Sequence, residues 1–180
     1  GSEAWTVSGA FDCESTDTAV WEAGNGSILF DSSTGDSTFT PCNFTSENQL
    51  FAPEFDSSAT TAQTWTLVTR TLVFGGTMTI EDGGAEAVSN ILSTGLDIAM
   101  TGGGITLGTG GTLTANASTI TLNGNFAPAN GTFTSGTSTV VFATSATSGN
   151  TNIEGGSFYN LTVNVGVTMT LGSQQRVTNV

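Results

Sequence analysis

From about residue 64 onward, apolar residues alternate with threonine over runs of four to eight positions, and glycine or asparagine separates one run from the next. "WTLVTRTLVF", "GTMTIED", "GTLTA", "STITLNGNF", "STVVFAT" and "VTMTLG" all read this way. Period-two alternation rich in β-branched residues predicts half-buried strands. No long stretch carries the 3.6-residue apolar period of a helix. The exception is "GGAEAVSNILSTG" (83–95), read as one short helix or a lid over an end.

The alternation is itself repeated. "GTLTANASTITLNGNFAPAN" (111–130) is followed by "GTFTSGTSTVVFATSATSGN" (131–150), with the same pattern throughout. Leu113 falls on Phe133, Ile120 on Val140 and Leu122 on Phe142. Twenty further on, Ile153 follows Phe133, while Leu161 and Val163 arrive one residue late, a slip assigned to an insertion in the corner "EGGSF". A period near twenty with several short strands per unit predicts a parallel β-solenoid. Its turns stack about 4.8 Å apart. Leu113, Phe133 and Ile153 would form one inward column, and Ile120, Val140 and Leu161 another. Gly and Asn would take the corners because they tolerate positive φ. The competing fold is an antiparallel β-sandwich.

The phrases "GTLTANASTITLNGNF", "GTFTSGTSTVVF" and "SFYNLTVNVGVTMTLGS" resemble the Thr/Gly/Asn-rich repeats of parallel β-helix cell-surface proteins of bacteria and archaea, among them adhesins and cell-envelope structural proteins. The resemblance covers residues 64–180 and implies a solenoid outside the cell. Residues 1–63, aromatic, acidic and cysteine-bearing, do not follow the repeat and are expected to form an N-terminal cap or module.

Composition narrows the function. The net charge is -13 from 15 acids and two arginines, with no lysine or histidine, and fourteen of the acids lie at or before Asp97. Two cations cannot neutralise a phosphate backbone or engage an anionic membrane, so neither nucleic acid nor membrane insertion is expected. No apolar run approaches the roughly 18 residues of a spanning helix. Numbering that opens on Gly1 is read as a mature or trimmed chain.

Cys13 and Cys42 are read as a disulfide, because no histidine and no C-x-x-C spacing supports metal or redox chemistry; two free buried thiols are the alternative. A disulfide places the protein outside the cytoplasm or in a thermophile. Weak calcium candidates are Asp12, Glu14 and Asp17 in "FDCESTD" and Asp31 and Asp36 in "FDSSTGD"; otherwise they are solvated acids, and no other cofactor is expected. Polysaccharide cleavage needs paired carboxylates roughly 5–9.5 Å apart, and the regular coil has almost none, so no enzyme is expected. Thr-x-Thr pairs such as Thr112/Thr114 and Thr132/Thr134 would face outward like an ice-binding array. Counting twenty forward reaches Asn152 and Glu154, so that array breaks. Of the N-x-S/T sequons, Asn25, Asn116 and Asn130 fall at predicted turns and are candidate glycosylation acceptors.

The chain stops at "LGSQQRVTNV" with neither an amphipathic helix nor a charged cap. An uncovered last turn recruits another strand. Either this is a piece of a longer repeat protein or another copy covers the end. The expected function is therefore an extracellular structural subunit that assembles head to tail into a filament, sheath or layer. The alternatives are a monomeric adhesin or carbohydrate-binding stalk that meets glycans or cell surfaces and, behind it, a polysaccharide-active enzyme.

Overall fold

A computed structural model describes residues 5–13, 26–31, 35–42, 49–56, 62–68, 71–81, 90–93, 100–128, 130–143, 150–153, 156–171 and 175–178. The strands, in chain order, are β1 (Trp5–Val7), β2 (Phe11–Asp12), β3 (Ser27–Asp31), β4 (Ser37–Thr40), β5 (Ala52–Asp56), β6 (Gln63–Leu67), β7 (Leu72–Ile80), β8 (Asn90–Ser93), β9 (Met100–Leu107) and β10 (Gly111–Thr114). They continue as β11 (Thr119–Leu122), β12 (Phe126–Ala127), β13 (Thr132–Thr134), β14 (Thr139–Phe142), β15 (Asn150–Ile153), β16 (Gly156–Phe158), β17 (Asn160–Val163), β18 (Thr168–Leu171) and β19 (Gln175–Val177).

Every ladder among the described residues is parallel, which rules out the sandwich. The chain is a parallel β-solenoid with three faces. Face one stacks β1, β3, β5, the second half of β7, the second half of β9, β12, β15 and β18. Face two stacks β2, β4, β6, β8, β10 and β13; β16 lies against β13 and pairs with β19. Face three stacks Leu50, the first halves of β7 and β9, then β11, β14 and β17. The long strands β7 and β9 each serve two faces, and the register of β7 shifts between Phe74 and Thr77 where it rounds the corner.

The turn length is not constant. On face two, Phe11 pairs with Phe39 and Ser37 with Trp65, offsets of 28 residues; Asn90 pairs with Gly111 at 21 and Thr112 with Thr132 at 20. The twenty-residue period therefore holds only in the later turns, and the ladders pass through residue 63 without a break. The wide early turns are filled by Phe11, Phe30, Phe39, Phe55 and Trp65, with Phe30 stacked on Phe55 at 4.8 Å and Phe11 on Phe39 at 5.3 Å. The narrower later turns mix the aliphatic Ile105, Leu107, Leu113, Ile120, Leu122 and Val140 with Phe126, Phe142 and Phe158. A longer perimeter encloses more volume, and interiors must be packed to crystal-like density.

Several expected positions are confirmed in register. Leu113 pairs with Phe133, Ile120 with Val140, Val140 with Leu161, and Leu122 with Phe142. Leu113, Ile120, Leu122, Val140 and Phe142 are buried, and Phe133 is half-buried. Ile153 is a correction: its backbone pairs with Phe126 and Leu171 on face one, not with Phe133. Phe158 takes the expected place, its ring 5.8 Å from that of Phe133. The one-residue slip conceals larger changes. Val140 to Ile153 spans 13 positions where Ile120 to Phe126 spans 6, and the next two corners shorten almost in compensation. Within 83–95, residues 90–93 form strand β8 rather than helix; the segment's other residues lie outside the described part.

The corners correct a second expectation. Asn116, Gly136 and Gly166 do adopt positive φ, but Gly76, Gly103 and Gly124 do not. Those three stack where strands cross from face three to face one. A Cβ on Gly76 would lie 2.8 Å from the Phe51 carbonyl, one on Gly103 would strike the Gly76 carbonyl, and one on Gly124 would lie 2.6 Å from the Gly103 carbonyl. Glycine is needed there for close backbone approach, not for its dihedral freedom.

Candidate interaction surfaces

Three kinds of surface emerge: an acidic face, a threonine-bearing face and an end that loses cover. On face one, outward positions bring acids into vertical neighbours. Asp31 pairs with Asp56, Glu54 sits beside Leu29 and Thr79, and the Glu81 amide donates to the Phe55 carbonyl one rung below. Burial, then the Glu81 and Asp56 charges, raise the Glu54 carboxyl above its ordinary value. Desolvation and like charges both disfavour its ionised form.

The calcium candidates separate in space. Asp31 belongs to this acidic stack, and Asp12 is exposed on β2. The Asp36 carboxylate accepts from the Thr64 amide at 2.9 Å, which ties β6 to the turn before β4. Glu14 and Asp17 lie outside the described residues. Among the described residues, no three acids or cysteines are grouped to hold a metal ion. Cys13 and Cys42 form the disulfide, joining the ends of β2 and β4 one rung apart, and the Cys13 amide donates to the Thr40 carbonyl at 3.1 Å.

Face two carries threonines in one backbone column: Thr38 pairs with Thr66 and Thr114 with Thr134, with the backbone of Ser93 paired between Thr66 and Thr114. The sequence count missed this column because it stepped forward by twenty from Thr134; the column runs backward, through offsets of 20, 21, 27 and 28. Thr77, Thr119 and Thr168 are exposed on the other faces.

At the far end of face three the inward column loses cover among the described residues. The inward column reads Leu122 at 1% exposed, Phe142 at 0% and Val163 at 42%. Val165, in the corner beyond, is 92% exposed. At the opposite end Trp5 on β1 is 56% exposed. Of the glycosylation candidates, Asn130 is exposed in a turn, Asn116 is half-buried at φ 49°, and Asn25 lies outside the described residues. Among the described residues, no helix is long and apolar enough to cross a membrane.

No known protein family, curated protein or solved structure matches this chain.

Proposed function

We propose that the chain is an extracellular structural subunit whose solenoid is extended by copies of itself, end to end, through parallel strand pairing. The observation that carries this reading is the loss of cover along one inward column, from a fully buried Phe142 to Val163 at 42% exposure. A further rung on β17 would bury Val163 and pair the edge of that strand that has no partner among the described residues, as strand addition does elsewhere. The exposed Trp5 on β1 offers the opposite edge with apolar area. A contact between unlike ends does not close, so it generates filaments. The disulfide supports an oxidising compartment. Exposed Asn130 supports glycosylation in a host that performs it. No catalytic role is assigned.

The test is sedimentation velocity and negative-stain imaging over a hundredfold concentration range, with Val163→Lys as the disrupting variant. Polymers that shorten in the variant are expected. Single rods at every concentration would overturn the assembly reading and favour a monomeric stalk.

A further inference from the structure

Charge is segregated around the coil and along it. Asp31, Glu54, Asp56 and Glu81 stand on or beside face one. Asp12 and Arg176 are exposed on the first and last strands of face two. Face three differs. From β7 to β17 its segments 72–74, 100–102, 119–123, 139–143 and 160–164 contain no charged residue, in a chain of net charge -13. Alternation turns Leu72, Met100, Ile120 and Val140 into the core. It leaves Val73, Thr101, Thr121, Val141 and Thr162 in one outward column. The first four are half-buried and Thr162 is exposed. All five are short, β-branched and stiff at χ1, so the column has an even height and the face is flat.

A flat sheet face packs well against another flat face, about 10 Å away. From β7 to β17 the column reads Val-Thr-Thr-Val-Thr. Turned end for end it meets itself, with Val73 opposite Thr162, Thr101 opposite Val141, and Thr121 on the two-fold axis. That is the self-complementarity an isologous contact needs. The antiparallel orientation also suits the charge, since fourteen of the 15 acids lie at or before Asp97. The acidic turns below β7 then overhang at opposite ends of the pair. Between them lie four rung spacings, about 19 Å, well beyond the Debye length of about 8 Å in physiological salt. A parallel pair would set the acidic turns level with each other. The contact needs shape and neutrality, not free hydroxyls: Asn160, in the neighbouring column, already donates to the Thr139 hydroxyl at 3.2 Å. The ladder runs on through the Asn123, Ala143 and Asn164 amides, so the face is about 17 Å wide and 25 Å tall. Roughly 400 Å² per copy is half of the standard 800 Å², which makes the contact reversible. We propose that face three is a lateral contact between copies of this chain, antiparallel and centred on Thr121. It uses neither end of the solenoid and stands apart from end-to-end assembly.

The test is sedimentation velocity on the intact, oxidised protein over a hundredfold concentration range, in wild type and in Val163→Lys, where end contacts are disrupted. Negative-stain images supply the width of any rods or polymers. Val163→Lys should form dimers at high concentration that dissociate on dilution. Raising the salt should tighten them, because two chains of like net charge then repel less. Adding Thr121→Lys sets two cations face to face across the axis and should weaken pairing at least tenfold, although it lowers the net negative charge. Thr132→Lys, exposed on face two, makes the same change in charge and should not weaken it. Each variant should keep the wild-type circular dichroism spectrum; Thr101→Lys, one rung away, replaces Thr121→Lys should that variant fail to fold. Val163→Lys that stays monomeric at every concentration overturns the proposal, as does equal weakening by Thr132→Lys or pairing that weakens with salt. Long polymers one solenoid wide would sustain end-to-end assembly and overturn lateral pairing. Short rods paired side by side would do the reverse.

Discussion

Gly102 leaves no room for an added side-chain atom. It pairs with Phe74 on one side and Leu122 on the other, in an inward column where both neighbours are 1% exposed. The Phe74 ring lies over the glycine, and a Cβ at position 102 would fall inside contact distance of three of its carbons, Cδ2, Cε2 and Cζ. Ladders on both sides hold the backbone, so the ring must give. Overpacking of this kind costs about 1–3 kcal/mol. Replacing glycine inside a strand returns about 0.5–1 kcal/mol. With three ring carbons in the way the cost falls in the upper half of that range, so Gly102→Ala should destabilise by about 1–2 kcal/mol. With a urea slope near 2 kcal/mol per molar, the midpoint falls by roughly 0.5–1 M, read by far-UV circular dichroism. Phe74→Leu costs stability alone but should relieve the clash. The pair should thus show a coupling of about 1 kcal/mol or more in a double-mutant cycle. An unchanged midpoint in the single variant, or additive costs in the pair, would refute the packing argument.

The 29-residue separation of Cys13 and Cys42 gives a crosslink contribution of about 3.6 kcal/mol in the chain-entropy treatment. Because each turn touches only its neighbours, Cys13→Ser/Cys42→Ser should lower amide protection in β2 to β4 and leave β11 and β14 protected, as hydrogen exchange would show. Glu54 binds its proton more tightly in the folded state, facing Glu81 and Asp56, with Asp31 in the same stack. Its contribution is therefore favourable at low pH and is lost as pH rises from the ordinary glutamate range through the raised value. Glu54→Gln should be more stable than wild type at pH 7, and the difference should vanish near pH 4, measured by paired melts. The Ser138 hydroxyl is buried without a hydrogen-bond partner among the described residues. Ser138→Ala should be neutral or stabilising in a thermal melt, since an unmet hydroxyl is removed; a loss above about 1 kcal/mol would mean the hydroxyl is satisfied.

Where successive turns have equal length, the coil could be read from the chain. Leu113 with Phe133 and Ile120 with Val140 pair as the arithmetic placed them, because their corners match residue for residue. Where corners differ, arithmetic fails, and Ile153 was placed on the wrong face by a corner seven positions longer than its predecessor. The early turns hid for a related reason. Their 27- and 28-residue offsets and aromatic filling share no visible phrase with the later ones, although Thr66, Ser93 and Thr114 stand in one column. The disulfide was legible from the absence of competing thiol chemistry. The glycine corner was not, since a run of glycines shows no difference between a turn that needs positive φ and one that needs an empty side-chain position.

Unequal turns bear on how the molecule would respond to tension along its axis. Rungs would peel singly, and each release would add the contour of its own turn, about 70 Å for twenty residues and about 95 Å for 28 at roughly 3.4 Å per residue. The trace would record, in its step lengths, which end unravels first. The Cys13–Cys42 bond withholds the slack between them, so the first of the large steps should be missing until a reductant is added.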